Sequence, residues 1–394
     1  MIAITNARIR TMTEDVFTGT LLMNEGKITA VGASVEIPEG AKTIDAEGAL
    51  LTPGLIDAHS HLGMWEENIG YEGDDGNELT DPLTPQLRAI DAINPRDDAF
   101  REALEGGVTM VMTGPGSANC MGGTFAVVRT LGHRIDDMIV RAPAAMKIAF
   151  GENPKRCYGK EGKAPRTRMM TAAMIRGILM RAKEYLAKKD AGKDALFDDK
   201  LEALIPVLRR EMPLKAHAHR ADDIFTAIRI AKEFNLDLTL DHCTEGHLIV
   251  EDLMRESYPA LVGPTFGNRP KVELTHKTFK TPGILAKAGM KVAIITDAPV
   301  IPEQHLAMCA AFAVDSGMDE DEAWKSITKN PAEILGIDAL VGTLEVGKSA
   351  DVVLWKGDPM HEIDAKPAMV FVEGKCAVGG GKHESTISGN RKTF

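Results

Sequence analysis

Aromatic residues are scarce in this chain, at 5% of 394 positions. No run of about 18 apolar residues occurs that would cross a membrane as a helix. Positive charge is in deficit: 46 Lys and Arg stand against 57 Asp and Glu, a formal net charge of −11. That balance disfavours nucleic acid or an anionic membrane surface as the main partner. Cysteine is thin as well. The five present (Cys120, Cys157, Cys243, Cys309, Cys376) are odd in number, scattered and never in CxxC spacing. Such usage fits a reducing cytosol rather than a disulfide framework. The opening stretch, Met1 to Ile9, lacks the basic start and apolar core of a secretory leader and reads as a strand, so a cytoplasmic location is expected. Methionine, with 20 copies, is read as core filler.

What the chain does have is a change of pattern along its length. Residues 1–50 are short apolar runs joined by turns: Ile2–Ile9, Leu21–Met23 and Lys27–Val31, with Asn24-Glu-Gly26 as a hairpin turn. From Leu51 to about Leu335, strand-like runs alternate with helical ones. The strands expected are Gly54–His61, Val108–Thr113, Ala145–Gly151, Leu214–His219, Leu236–His242, Ala260–Val262 and Lys291–Thr296. Helices are expected over stretches such as Thr171–Lys188, Asp199–Glu211 and Ala221–Phe234. This alternation predicts an α/β fold, a (β/α)8 TIM barrel over 51–341, with one strand not located. After Gly342 the pattern is β again and has nothing local to pack on. Residues 1–50 and 342–380 are therefore expected to form one small β-sandwich built from both termini, and the Gly-, Lys- and Ser-rich tail 381–394 to be disordered.

The apolar run Leu51-Thr-Pro-Gly-Leu-Ile-Asp-Ala-His-Ser-His61 ends in two histidines one residue apart. Alternation along a strand puts His59 and His61 on one face, and two imidazoles converging on one point are half of a metal site. Further strands end in ligand-type residues: Leu214-Lys-Ala-His217-Ala-His219, Leu238-Thr-Leu-Asp-His242, Val292-Ala-Ile-Ile-Thr-Asp297, and Met146-Lys-Ile-Ala-Phe-Gly-Glu152. A barrel gathers such strand ends on its active face. Two long loops interrupt that face. Met64–Pro95 carries seven acids between Met64 and Asp81, along with Trp65 and Tyr71, and Asn153–Arg168 carries six bases. They are read either as solvated insertions or as lids.

The order and flanks of these motifs resemble the amidohydrolase superfamily. The matching segments include Thr52-Pro-Gly-Leu-Ile-Asp-Ala-His-Ser-His61, Thr296-Asp-Ala298, Asn330-Pro-Ala-Glu-Ile-Leu-Gly336 and Gly342-Thr-Leu-Glu-Val-Gly-Lys-Ser-Ala-Asp-Val-Val353. They are most similar to the branch holding imidazolonepropionase and metal-dependent prolidases. The resemblance implies a distorted barrel with one or two divalent metals, usually zinc. It implies that His59, His61 and Asp297 bind the first metal and His217 and His242 the second. His219 then faces substrate, with exchange between His217 and His219 left open. The bridging ligand is either Glu152, favoured because Pro154 is expected to end its strand there, or a carboxylated Lys147.

With those ligands, Asp297 is the expected general base and acid in hydrolysis of a C–N bond of a small amide, cyclic amide or dipeptide-like compound. A deaminase or an imidazolone-type ring hydrolase acting at an amidine carbon is the alternative. Arg269 and Lys271, in the polar stretch Gly263–His276, are read either as holding a substrate carboxylate or as part of a solvated loop. Trp65 and Tyr71 are expected near the substrate, and the Asn119–Thr124 turn is read either as offering backbone amides to it or as a plain tight loop. Small-molecule substrates and a homo-oligomer are expected as partners.

Overall fold

The computed structural model describes residues 1–66 and 69–379. The tail 381–394 therefore lies outside the described residues. Five strands open the chain: β1 (Ile2–Ile9), β2 (Phe17–Asn24), β3 (Lys27–Gly32), β4 (Lys42–Asp45) and β5 (Leu50–Pro53). Eight more build the centre: β6 (Leu55–Ser60), β7 (Val108–Thr113), β8 (Met121–Arg129), β9 (Ile139–Ala149), β10 (Leu214–Ala218), β11 (Leu238–His242), β12 (Ala260–Val262) and β13 (Val292–Ile294). Three close the described chain: β14 (Val352–Lys356), β15 (Lys366–Val372) and β16 (Lys375–Val378).

The first five and last three strands share one sheet, ordered β16-β15-β14-β5-β1-β2-β3, with β4 paired to β1. The two chain ends cover each other, and β14 and β15 also pack against the barrel's helices through Val353, Trp355 and Val370. Leu51, on β5, pairs with Leu354, on β14, and Ile4, Leu21, Val352 and Phe371 share one core.

The central strands run β6 to β13 in sequence order. Their ends meet beyond β13, where the Asp297 amide donates to the His59 carbonyl (3.3 Å) and the His61 amide to the Ala298 carbonyl (2.9 Å). The result is a nearly closed eight-stranded barrel with helices outside. All six residues of β6 are buried, as expected for a strand covered on both faces. Among the described residues, no helix is long and apolar enough to cross a membrane.

The strand missing from the sequence reading is β8, and it runs antiparallel to both neighbours, β7 and β9. It has no preceding helix, so the alternation of strand and helix skips it. Its start, Met121-Gly-Gly-Thr124, corrects the expectation of a turn over Asn119–Thr124. The Met121 amide donates to the Pro82 carbonyl and the Thr124 amide to the Leu87 carbonyl (3.2 and 2.8 Å), so neither is available to a substrate. Gly123 is required there. Its φ is +117°, and a Cβ would lie 2.6 Å from the Leu87 carbonyl oxygen. Gly123→Ala should cost about 2 kcal/mol or more. Gly177→Ala, on an exposed helix face with open space around it, should instead stabilise by roughly 0.5–1 kcal/mol. Denaturant melts of the two variants check both signs; equal shifts would contradict the packing described.

Two further expectations are corrected. The helix expected over Asp199–Glu211 is two single turns, Asp199–Glu202 and Ile205–Leu208. Pro206 lacks an amide and its ring clashes with a helical carbonyl four residues earlier. Nor does the strand carrying Lys147 reach Glu152. It ends at Ala149, Gly151 (φ +81°) turns the chain, and a helix runs over Glu152–Gly159. Pro154 sits in the first turn of that helix, where its missing amide costs nothing. It does not end a strand.

Candidate metal centre

The strand ends converge. His59, His61 and Asp297 form one group and His217, His219 and His242 another, each with its ligand atoms within 4.8 Å of one another. One Asp297 carboxylate oxygen is 3.2 Å from Nε2 of both His59 and His61. The His217 ring centroid is 4.7 Å from that of His219 and 4.3 Å from that of His242, and the His59 and His242 rings, 5.1 Å apart, join the two groups.

Four of the five imidazoles are held by Nδ1, which leaves Nε2 for the centre. His59 Nδ1 meets Asp241 (2.9 Å), His61 Nδ1 the Gly114 carbonyl (2.6 Å), His219 Nδ1 the Thr244 hydroxyl (2.7 Å) and His242 Nδ1 the Gly263 carbonyl (2.7 Å). A partner on one ring nitrogen fixes the tautomer and aims the other, the arrangement that metal-binding histidines use. His242 Nε2 is buried with no hydrogen-bond partner, an orphan that a cation would satisfy.

Electrostatics agree. Burial, reinforced by Lys147 and Lys215, takes His59 down to about 3, and burial takes His242 down to about 4. His217 and His219 lie well below the usual imidazole range, chiefly through burial and then through their neighbour His242. All are neutral near pH 7, with lone pairs free for a metal. Burial alone would raise Asp297, but His242, His59 and His61 hold it well below the usual carboxylate range. Residues His242 (φ +70°) and Asp297 (φ +58°) adopt left-handed backbone conformations. Strain of that kind concentrates at functional sites.

Of the two expected bridging groups, Lys147 stands in the cluster. It is 0% exposed, with Nζ 3.4 Å from His59 Nε2 and over the Phe125 ring. Burial pushes its ammonium down to about 8. Glu152 is outside both groups, on its helix, and its backbone amide donates to Glu273 (3.0 Å).

A cavity of about 420 Å³ opens above the centre, lined by His61, His217, His219 and Asp297 below and by Trp65, Phe266 and Lys271 higher up. Trp65 packs edge-on to His61, with centroids 4.9 Å apart. Lys271 is on the wall as expected. Two expected substrate contacts are not: Tyr71 is 97% exposed, and Arg269 turns back to donate to the Lys277 carbonyl (2.7 Å). Lys277 in turn donates to the carbonyls of Phe266, Gly267 and Asn268 (2.8–3.2 Å). That loop ties itself together and keeps Arg269 for its own support.

Three buried charges escaped the sequence reading. Asp241 holds His59. Lys215 donates to the Ala58 carbonyl (2.8 Å) and stands 3.3 Å from Asp241. Glu273 faces His217 and His219. Asp57 was in the motif without a role. One of its oxygens accepts from the His59 amide (2.9 Å) and the other from the Thr296 amide and hydroxyl (2.8 and 2.7 Å). It locks the first barrel strand to the segment that presents Asp297.

Comparisons with known proteins bear on the fold and its relatives. The model of the amidohydrolase family matches residues 50–381. A Thermotoga maritima MSB8 amidohydrolase of known structure is 42% identical, with a TM-score of 0.92 over 95% of this chain and 99% of its own. Amidohydrolase tasK of Hapsidospora irregularis is 31% identical over 90% of this chain, which spans only 39% of that longer protein. Imidazolonepropionase of Mesorhizobium japonicum is 24% identical over 89% of this chain and 90% of its own length.

Proposed function

The chain belongs to the amidohydrolase family, and on that premise we propose that it hydrolyses a C–N bond of a small amide, cyclic amide or dipeptide-like compound. The observation that carries this reading is the Asp297 carboxylate, which lines the cavity and has one oxygen 3.2 Å from Nε2 of both His59 and His61. In this reading His59, His61 and Asp297 would hold one divalent cation and His217 and His242 a second, with Lys147, carboxylated on Nζ, as a further ligand. Such a cation, most simply zinc, supplies a water that ionises near pH 7 and polarises a carbonyl oxygen.

The rest is done by the chain. Asp297 is ionised, and with one oxygen turned to the histidines it has the other free to take a proton from the attacking water. It returns that proton to the leaving nitrogen, so the amine departs neutral. His219, with Nδ1 accepting from the Thr244 hydroxyl, carries its proton on Nε2 and donates it to the substrate oxygen as negative charge grows there. Trp65 and Phe266 exclude water from the cavity, and Lys271 offers a cation to an anionic end of the substrate.

The test couples metal analysis with a hydrolysis panel of dipeptides, N-acyl amino acids and cyclic ureides. Chelation should abolish turnover, and added zinc or manganese should restore it. A protein that takes up neither metal and hydrolyses no member of the panel would overturn the reading. Imidazolonepropionase among the relatives is the reason to include a cyclic amidine in the panel.

A further inference from the structure

Glu273 lies on the loop that follows β12, and only 2% of its surface is exposed. One carboxylate oxygen, Oε2, is anchored by the Glu152 amide at the start of the Glu152–Gly159 helix (3.0 Å). Gly151 makes room for it, since a Cβ there would lie 2.5 Å from Oε2. The other oxygen, Oε1, is buried without a hydrogen-bond partner. It stands 3.8 Å from His219 Nε2, 3.9 Å from His217 Nε2 and 3.9 Å from Lys271 Nζ, all beyond hydrogen-bond reach. A buried acceptor left open costs stability, and here its anchor holds it behind three residues that line the cavity, His217, His219 and Lys271.

Resting on the hydrolytic reading above, we propose that Glu273 determines substrate choice by accepting, at Oε1, a hydrogen bond from an amine next to the scissile carbonyl. The α-amino nitrogen of an aminoacyl group is two bonds from its carbonyl carbon, which matches an acceptor set just beyond the histidine pair. The substrate class is then an aminoacyl amide with a free amine. Lys271 and Arg156 line the cavity and are the cations available to a carboxylate at its far end. An N-acylated analogue puts a bulky, uncharged amide where a compact cation belongs and leaves Oε1 poorly paired.

The test compares dipeptides with their N-acetyl counterparts on metal-loaded wild type and Glu273→Gln. Glutamine keeps an oxygen for the Glu152 amide and turns its NH2 to the substrate, where it repels a second donor. Wild type should prefer the free amine by about 100-fold in kcat/KM. Glu273→Gln should lose most of that preference by failing on the free-amine compound, mainly through KM, and change threefold or less on the acetylated one. Metal content should be unchanged, and calorimetry should show weaker binding of the amino-acid product but not of its N-acetyl form. Equal loss on both substrates, loss of metal, or a wild-type preference for the acetylated compound overturns the inference while the hydrolytic reading stands. Hydrolysis of neither, with metal bound and the wider panel also inert, overturns the hydrolytic reading itself.

Discussion

Asp297→Asn is expected to lower kcat by about 1,000-fold or more, within or beyond the range of a single general acid–base group, and to leave the fold intact. Three features of the site set that size. The aspartate is ionised although buried, because three histidines surround it. Asparagine matches its shape but accepts no proton, so both transfers in the proposed reaction lose their carrier. The replacement amide also weakens whatever the His59 and His61 pair holds. The backbone should not object, since φ at this position is +58° and asparagine tolerates the left-handed region at least as well as aspartate. Kinetics on the metal-loaded variant, with circular dichroism and a thermal melt beside them, separate loss of chemistry from loss of structure. Near-normal turnover would rule out Asp297 as the proton carrier.

How far such residues can be read from sequence depends on where their information lies. His59, His61, His217, His242 and Asp297 each stand at or just past the end of a buried apolar strand, so local periodicity points them to one face. The parallel barrel makes those faces converge. Seven strands were legible for the same reason. The eighth, β8, was hidden by Gly122 and Gly123, which look like a turn, although Gly123 is there to admit the Leu87 carbonyl. Glu152 misled because Pro154 reads equally as the end of a strand and as the first turn of a helix, and only the bend at Gly151 decides. Glu273, Lys215 and Asp241 were invisible in another way. Each is an ordinary charge in its own segment, and becomes a site residue only through partners 25 or more residues away in the chain, such as the 182 between His59 and Asp241 and the 121 between Glu152 and Glu273.

Lys147→Met is expected to lose one of two bound metals and to lower kcat by about 1,000-fold, whereas Glu152→Gln keeps both metals and changes kcat by less than about 10-fold. A protonated lysine 3.4 Å from His59 Nε2 would repel a cation held there. A neutral amine can add carbon dioxide, forming an N–C bond and releasing one proton, which turns the side chain into an anion of bridging length. Burial favours that exchange, because it pushes the ammonium down to about 8 and shields the product from hydrolysis. Lys215, side by side with Lys147 in the strand register, is not equivalent. Its Nζ is committed to the Ala58 carbonyl and to Asp241, so it is not free to add carbon dioxide and braces the aspartate that holds His59. Labelled bicarbonate should therefore give one carbamate carbon signal in metal-loaded wild type, none in Lys147→Met, and an unchanged one in Glu152→Gln. Methionine suits a pocket that is wholly buried, so the fold should survive the exchange. Two metals and full turnover in Lys147→Met, with a metal lost from Glu152→Gln, would return the bridge to the glutamate and require its helix to unwind by a turn when metal binds.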